Sequence, residues 1–148
     1  MQELPAPPAL FTDLLPRLNF IRARRQEHLV CFSLDTSGHI LHRHTVFIGT
    51  VSQSFASPRE IFARALKSFA YSIVVAHNHP SGVAAPSDGD IETTRILESA
   101  GVLLGVHLQD HIIVGKKDYY SFAENGLLLP IPLLARTMGL PDDLGAQE

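Results

Sequence analysis

Tyr71-Ser72-Ile73-Val74-Val75-Ala76 is an unbroken apolar, β-branched run that ends abruptly at His77-Asn78-His79-Pro80-Ser81-Gly82. Such a run is short enough to be a buried strand. Residues i and i+2 of an extended chain point the same way, so His77 and His79 can converge on one point just past the strand, where Pro80 and Gly82 turn the backbone away. A loop, Val83-Ala84-Ala85-Pro86, then leads into a helix start. Ser87 and Asp90 share a face of its first turn, which lets the carboxylate aim back at the histidines. Two neutral imidazoles and one carboxylate are a ligand set for catalytic zinc, with a fourth position for water. The same Ser-x-x-Asp also reads as a capping box, with Ser87 satisfying an orphan amide and the acid near the positive end of the helix dipole. A lone His-x-His is weak evidence too. Their combination within the fourteen residues 77–90, across a Pro/Gly loop, favours a metal centre.

A chain of 148 residues is most simply one domain, and 45% hydrophobic with 18% charged residues is a globular balance. No apolar run approaches about eighteen residues and no leader pattern opens the chain, so neither membrane nor export is expected. Cys31 is the single cysteine. It excludes an intramolecular disulfide, argues against a cysteine-built zinc site and fits a reducing cytoplasm. A net charge of −3 is no footprint for nucleic acid.

Residues 1–20 are expected to be a lead-in: three prolines within 1–8, then Leu10, Phe11, Leu14, Leu15 and Leu18 at helical spacing, with Pro16 ending or kinking the helix. Arg22, Arg24 and Arg25 are expected to form a solvated face. His28 to Leu34 and His39 to Phe47 read as a hairpin about Asp35-Thr36-Ser37-Gly38. The second pair, His42 and His44, has no following turn and no nearby carboxylate, so these are expected to be surface strand residues. Ser57-Pro58-Arg59-Glu60 opens a helix with Ser at the N-cap and Pro at N1. Ile61, Phe62, Ala65, Leu66 and Phe69 form its predicted apolar face. Glu60 is explained as a cap, which leaves Glu27, before the first strand, as the more interesting carboxylate. A helix over Asp90 to Ala100 is predicted to end at Gly101, followed by strands over Val106 to Val114 and Asp118 to Phe122. His107, Asp110 and His111 are expected to be sheet polar residues near a helix end, support of a metal ligand being the alternative. Residues 129–148, with three prolines, read as a loosely attached tail.

The chain resembles the RadC-type JAB/MPN metalloenzymes, whose motif is a distant glutamate followed by His-x-His, seven residues and Ser-x-x-Asp. His77-x-His79 and Ser87-x-x-Asp90 fit that spacing without adjustment, and Gly49-Thr50, Pro58-Arg59-Glu60 and Leu108-Gln109-Asp110-His111 match further family features. The resemblance covers roughly residues 20–128 and implies a JAB/MPN domain over 21–128. It implies an α/β (α+β), cytidine-deaminase-like fold, a curved and mostly antiparallel sheet flanked by helices. It also implies Zn2+ held by His77, His79 and Asp90 with water as fourth ligand, Glu27 as general base and then acid, and Ser87 as oxyanion donor. The implied activity is hydrolysis of a peptide or isopeptide bond in a peptide or protein substrate. A DNA-repair or recombination accessory and a non-catalytic scaffold are the alternatives. Asn78 stands where the deubiquitinating branch usually has serine, and residues 1–20 are too short for the helix-hairpin-helix module of full-length RadC proteins.

Overall fold

In the computed structural model, residues 9–49 and 57–141 are described, with the backbone alone at positions 9–12, 47 and 48. Thr50 and the outer parts of the predicted lead-in and tail, 1–8 and 142–148, lie outside the described residues. The elements run α1 (Ala9–Arg17), α2 (Asn19–Arg22), β1 (Glu27–Leu34), β2 (Ile40–Gly49), α3 (Pro58–Lys67), β3 (Ser72–Asn78), α4 (Asp88–Leu104), β4 (His107–Val114), β5 (Tyr119–Ser121) and α5 (Ile131–Thr137). The strands form one open sheet in the order β2-β1-β3-β4-β5, in which only the β3–β4 pairing is parallel. That parallel pair needs a crossover, which α4 supplies.

Alternation along the strands divides two apolar layers. Leu29, Cys31, Ile73 and Val75 face α3 and α4 through Ile61, Phe62, Ala65 and Leu97. Val30, Phe32, Val74 and Ala76 face the other way, onto Leu14, Leu18 and Ile21. Those last three are spaced to share one stripe of α1 and α2. Pro16 sits in the last turn of α1 and the helix restarts at Asn19, so the break does not take Leu18 or Ile21 off the sheet. Leu14 and Leu18, within the predicted lead-in, are thus buried in the core. Within the predicted tail, α5 packs against α4 with Leu134 and Ala135 buried. Arg22 is drawn out of the basic cluster, its guanidinium donating to the Gly115 and Asp118 carbonyls at 3.0 and 2.8 Å.

Three local expectations are corrected. Leu66, within α3, is 43% exposed, and Phe69 is 93% exposed because α3 ends at Lys67 and the chain turns at Phe69 with φ 51°. A residue in the left-handed region is no longer in helical phase, and Ala70 takes the inward place. Helix α4 runs through Gly101 and ends at Gly105, which holds the left-handed cap at φ 72°. Gly101 is instead a close-approach position, where a Cβ would lie 2.5 Å from the Val106 carbonyl oxygen. His44 is half-buried rather than a surface residue, both ring nitrogens being out of contact with solvent. Burial lowers its pKa.

Candidate metal centre

Strand β3 continues through Asn78, so His77 still lies in the sheet, opposite Leu29 of β1 and Ile113 of β4. It shares parity with Val75 and faces α4. His79 follows just outside the strand, its backbone N–H bound to the Val114 carbonyl at 3.0 Å. The chain then turns at Gly82, φ 88°, a left-handed conformation that favours glycine, with the stem of Lys116 packed 3.0 Å from where a Cβ would lie. Helix α4 starts at this loop with a complete capping box. Ser87 Oγ accepts from the Asp90 N–H at 3.1 Å, and Asp90 Oδ2 accepts from the Ser87 N–H at 2.9 Å. The cap and the approach of Asp90 to the histidines are therefore one arrangement, since the turn that closes the box also aims the carboxylate. Asp90 Oδ1 lies 3.1 Å from His77 Nε2 and Oδ2 lies 3.0 Å from His79 Nε2, while the two Nε2 atoms are 3.2 Å apart. Glu27 stands beside them, Oε1 at 3.9 Å from His77 Nε2.

The proton inventory decides what this cluster can hold. The Val83 carbonyl, 2.8 Å from His79 Nδ1, can only accept, so Nδ1 carries a hydrogen and, in the neutral ring, Nε2 a lone pair. His77 is settled by a longer chain. Thr94 Oγ1 donates to the Asp90 carbonyl at 2.7 Å and so accepts from His111 Nδ1, also at 2.7 Å. His111 is fully buried, and burial first, then the charge of His77, holds its pKa well below the ordinary value. A neutral His111 bearing hydrogen on Nδ1 accepts at Nε2, and the donor 2.8 Å away is His77 Nδ1. In the neutral ring, His77 Nε2 therefore also presents a lone pair. With both rings neutral, two lone pairs and two carboxylate oxygens converge with no hydrogen between them, which is repulsive unless a cation, a proton or a metal ion, lies there. Tetrahedral coordination at usual zinc distances sets ligand atoms about 3.3 Å apart, close to the spacings of 3.0 to 3.2 Å found here. Among the described residues, His77, His79 and Asp90 are the group that could hold a metal ion.

The electrostatics agree. Burial works to raise the Asp90 pKa, but the imidazoles of His77 and His79, which donate to the carboxylate whenever a proton occupies Nε2, outweigh it and hold the carboxyl ionised far below the usual range. The bond to Asp90 first, against burial, raises the His79 pKa. A site that attracts a proton in this way attracts a metal ion by the same potential, and the two compete.

Thr94 carries no sequence signal beyond an ordinary helical threonine, and only the packing shows its place in the chain to His77. The sequence favours His111 as a sheet polar residue, whereas the structure places it in contact with His77 Nδ1, the arrangement that the metal-support alternative requires. It reaches the α4 face because the β3–β4 register shifts between Ile73 and Val74, across Gln109. Regular alternation from Val106 and Leu108 would have turned it away. Phe122 stacks on its ring, with centroids 4.9 Å apart. We predict that His111→Ala weakens binding of a metal ion at this group by about 10- to 100-fold, with Thr94→Val changing it in the same direction by less. Competition with a chelator measures both, and unchanged affinity in the two variants would show that the contact does not tune the site.

Asp110 has a different task. Its buried carboxylate accepts from Ser121 Oγ at 2.6 Å, the His111 N–H at 2.7 Å and the Ala123 N–H at 2.9 Å, anchoring the turn after β5. Burial pushes its pKa up to about 6 in spite of these donors. The folded state thus holds this proton more tightly than an unfolded chain, where a carboxyl of this type titrates near 3.9, roughly. Its contribution to stability is complete below about pH 4 and is lost as pH rises through about 6. Asp110→Asn should remove that dependence. Urea unfolding should show the variant gaining on wild type by about 3 kcal/mol between about pH 4 and about pH 8. A difference that stays constant would mean that Asp110 is ionised throughout.

His107 lies at the start of β4 with its ring edge-on to Tyr71, away from the cluster. Arg95, the one basic residue between His77 and Val114 in sequence, is paired with Glu98 at 2.6 Å. The fold nevertheless brings a second cation to the loop, the Lys116 stem lying across Gly82.

Comparison with known proteins bears on the same residues. The chain is 48% identical over 108 residues to a UPF0758 protein of Bacillus licheniformis, covering 73% of this chain and 48% of that protein. It is 45% identical over 108 residues to the UPF0758 protein YsxA of Bacillus subtilis, covering 73% of this chain and 47% of the relative. A UPF0758 protein of Streptococcus uberis is 48% identical over 101 residues, covering 68% of this chain and 45% of the relative. The chain spans about half the length of these curated relatives. A family model described as a RadC-like JAB domain matches residues 11–127, from α1 through β5 and past the whole cluster. That match spans His77, His79 and Asp90, and the chain belongs to the RadC-like JAB domain family.

Proposed function

We propose that this chain is a zinc-dependent hydrolase of peptide or isopeptide bonds. The observation that supports this reading best is the convergence of two imidazole Nε2 atoms and the Asp90 carboxylate beside a second carboxylate, Glu27, 3.9 Å from His77 Nε2. His77, His79 and Asp90 would hold the metal. Zinc, when bound, supplies a Lewis acid that polarises a carbonyl and lowers the pKa of water. Glu27, with its side chain 24% exposed, can accept the proton of an attacking water and pass it to the leaving amine. Ser87 Oγ accepts from the Asp90 N–H. Among the described residues its own hydrogen has no acceptor, so it is free to donate to the oxyanion of the tetrahedral intermediate. Cys31, a buried free thiol whose pKa burial pushes up to about 12, supports a reducing compartment, the cytoplasm, as the location. Among the described residues no helix is long and apolar enough to cross a membrane.

The test supplies zinc to the purified protein, measures metal by elemental mass spectrometry and scans peptide and lysine-isopeptide libraries for newly released amines. We expect about one zinc per chain and release of amines that a chelator abolishes. Metal-free protein after zinc is supplied at neutral pH would overturn the reading. Bound metal without turnover on either library would leave the scaffold role in its place. A DNA-associated role has one observation in its favour, Lys116 beside the site loop. It predicts binding to single- or double-stranded DNA that falls steeply with salt, and absence of binding at low salt removes it.

A further inference from the structure

We propose that Asn78 is a positioning residue that sets the place of the Glu27 carboxylate, a role that rests on the hydrolase reading above. Asn78 stands between the two histidines in sequence but faces the opposite side of the sheet from His77. It is fully buried. Its side chain makes three hydrogen bonds, all to the backbone on either side of Glu27. Oδ1 accepts from the His28 N–H at 2.6 Å, and Nδ2 donates to the Arg24 and Gln26 carbonyls at 3.2 and 3.0 Å. The amide orientation is unambiguous, because a backbone N–H requires an oxygen and the two carbonyls require the NH2 group.

The sheet register explains why a side chain is needed here. The antiparallel pairing of β1 with β3 ends at Leu29↔His77, leaving Glu27 and His28 outside it. Beyond it β1 remains paired with β2, Glu27 lying opposite Gly49, but no backbone bond of the β1–β3 ladder ties Glu27 to the strand that carries the histidines. Asn78 Oδ1 takes the His28 N–H in place of the missing ladder bond, and Nδ2 closes the approach from Arg24 to Gln26. Glu27, of the same parity as Leu29, is then held on the face of the sheet that bears His77. One buried amide thereby links the strand of the proposed metal ligands to the segment of the proposed base. A serine at this position is too short to span His28 on one side and two carbonyls on the other.

The test is Asn78→Ser, with Asn78→Asp as a second variant that keeps the size and the acceptor for His28 while losing both donors. Zinc content is expected to stay at the wild-type value, because no ligand is touched. Turnover should fall by about 100-fold through kcat, with KM unchanged. In a Glu27→Gln background neither substitution should lower turnover further, which a general loss of stability would do. A readout without substrate is the carboxyl-carbon signal of 13C-labelled Glu27 in cobalt-loaded protein, whose paramagnetic shift reports its position relative to the metal. A changed shift in Asn78→Asp or Asn78→Ser supports the proposal, and a shift equal to wild type in both overturns it. If the wild type hydrolyses nothing and yet the shift changes, the hydrolase reading is lost while the positioning role of Asn78 stands.

Discussion

Asp90→Ala is expected to abolish zinc binding and hydrolysis together, and to lower stability by about 0.5–2 kcal/mol through loss of the helix cap. Both effects follow from one carboxylate that serves two structures. Oδ2 accepts the Ser87 N–H at 2.9 Å and lies 3.0 Å from His79, while Oδ1 lies 3.1 Å from His77. Alanine removes the capping partner and the one negative charge that offsets a cation between the imidazoles. Asp90→Asn separates the two effects. Its oxygen can still accept from the Ser87 N–H, so the cap survives, while its NH2 group turns a donor toward a lone pair that a metal would need. The variant should fold with near wild-type stability and retain no zinc, as read by thermal melting and elemental mass spectrometry. Should Asp90→Asn bind zinc as tightly as wild type, Asp90 is a helix cap and nothing more.

Glu27→Gln tests the opposite separation. The side chain approaches His77 only at 3.9 Å and belongs to a different strand from the ligands, so its amide should leave zinc affinity and stability unchanged. A glutamine cannot take a proton from water, and loss of a positioned base costs about 10²- to 10⁴-fold in rate. We expect that loss in kcat on any substrate that the library scan identifies, with full zinc occupancy. Hydrolysis at the wild-type rate would remove Glu27 from the mechanism. Loss of zinc instead would make it a ligand rather than a base.

Much of this architecture is legible in the linear chain because it depends on local chemistry. The β-branched run of β3, the turn at Asp35 to Gly38 and the Ser57-Pro58 helix start each carry their own cause, and each element stands within a few residues of where it is predicted. The spacing of His77, His79 and Asp90 is equally local, for a strand period, a loop and one helical turn bring them together. The misplaced details are those in which a glycine or an aromatic residue answers to a neighbour rather than to its own helix. Gly101 looks like a cap but is small because the Val106 backbone passes against it, and Phe69 leaves its helix face because the chain turns beneath it.

The sequence by itself determined the candidate metal-binding group, because a strand period, a short loop and one helical turn make those three side chains face one another. Only the tertiary structure decided what surrounds them. The register shift that turns His111 toward His77, the reach of Thr94 from a neighbouring helix and the grip of Asn78 on the segment of Glu27 all join residues from 17 to 54 positions apart. No periodicity within one element encodes such contacts. They arise from strand order and from the burial of polar groups that must find partners in the folded chain.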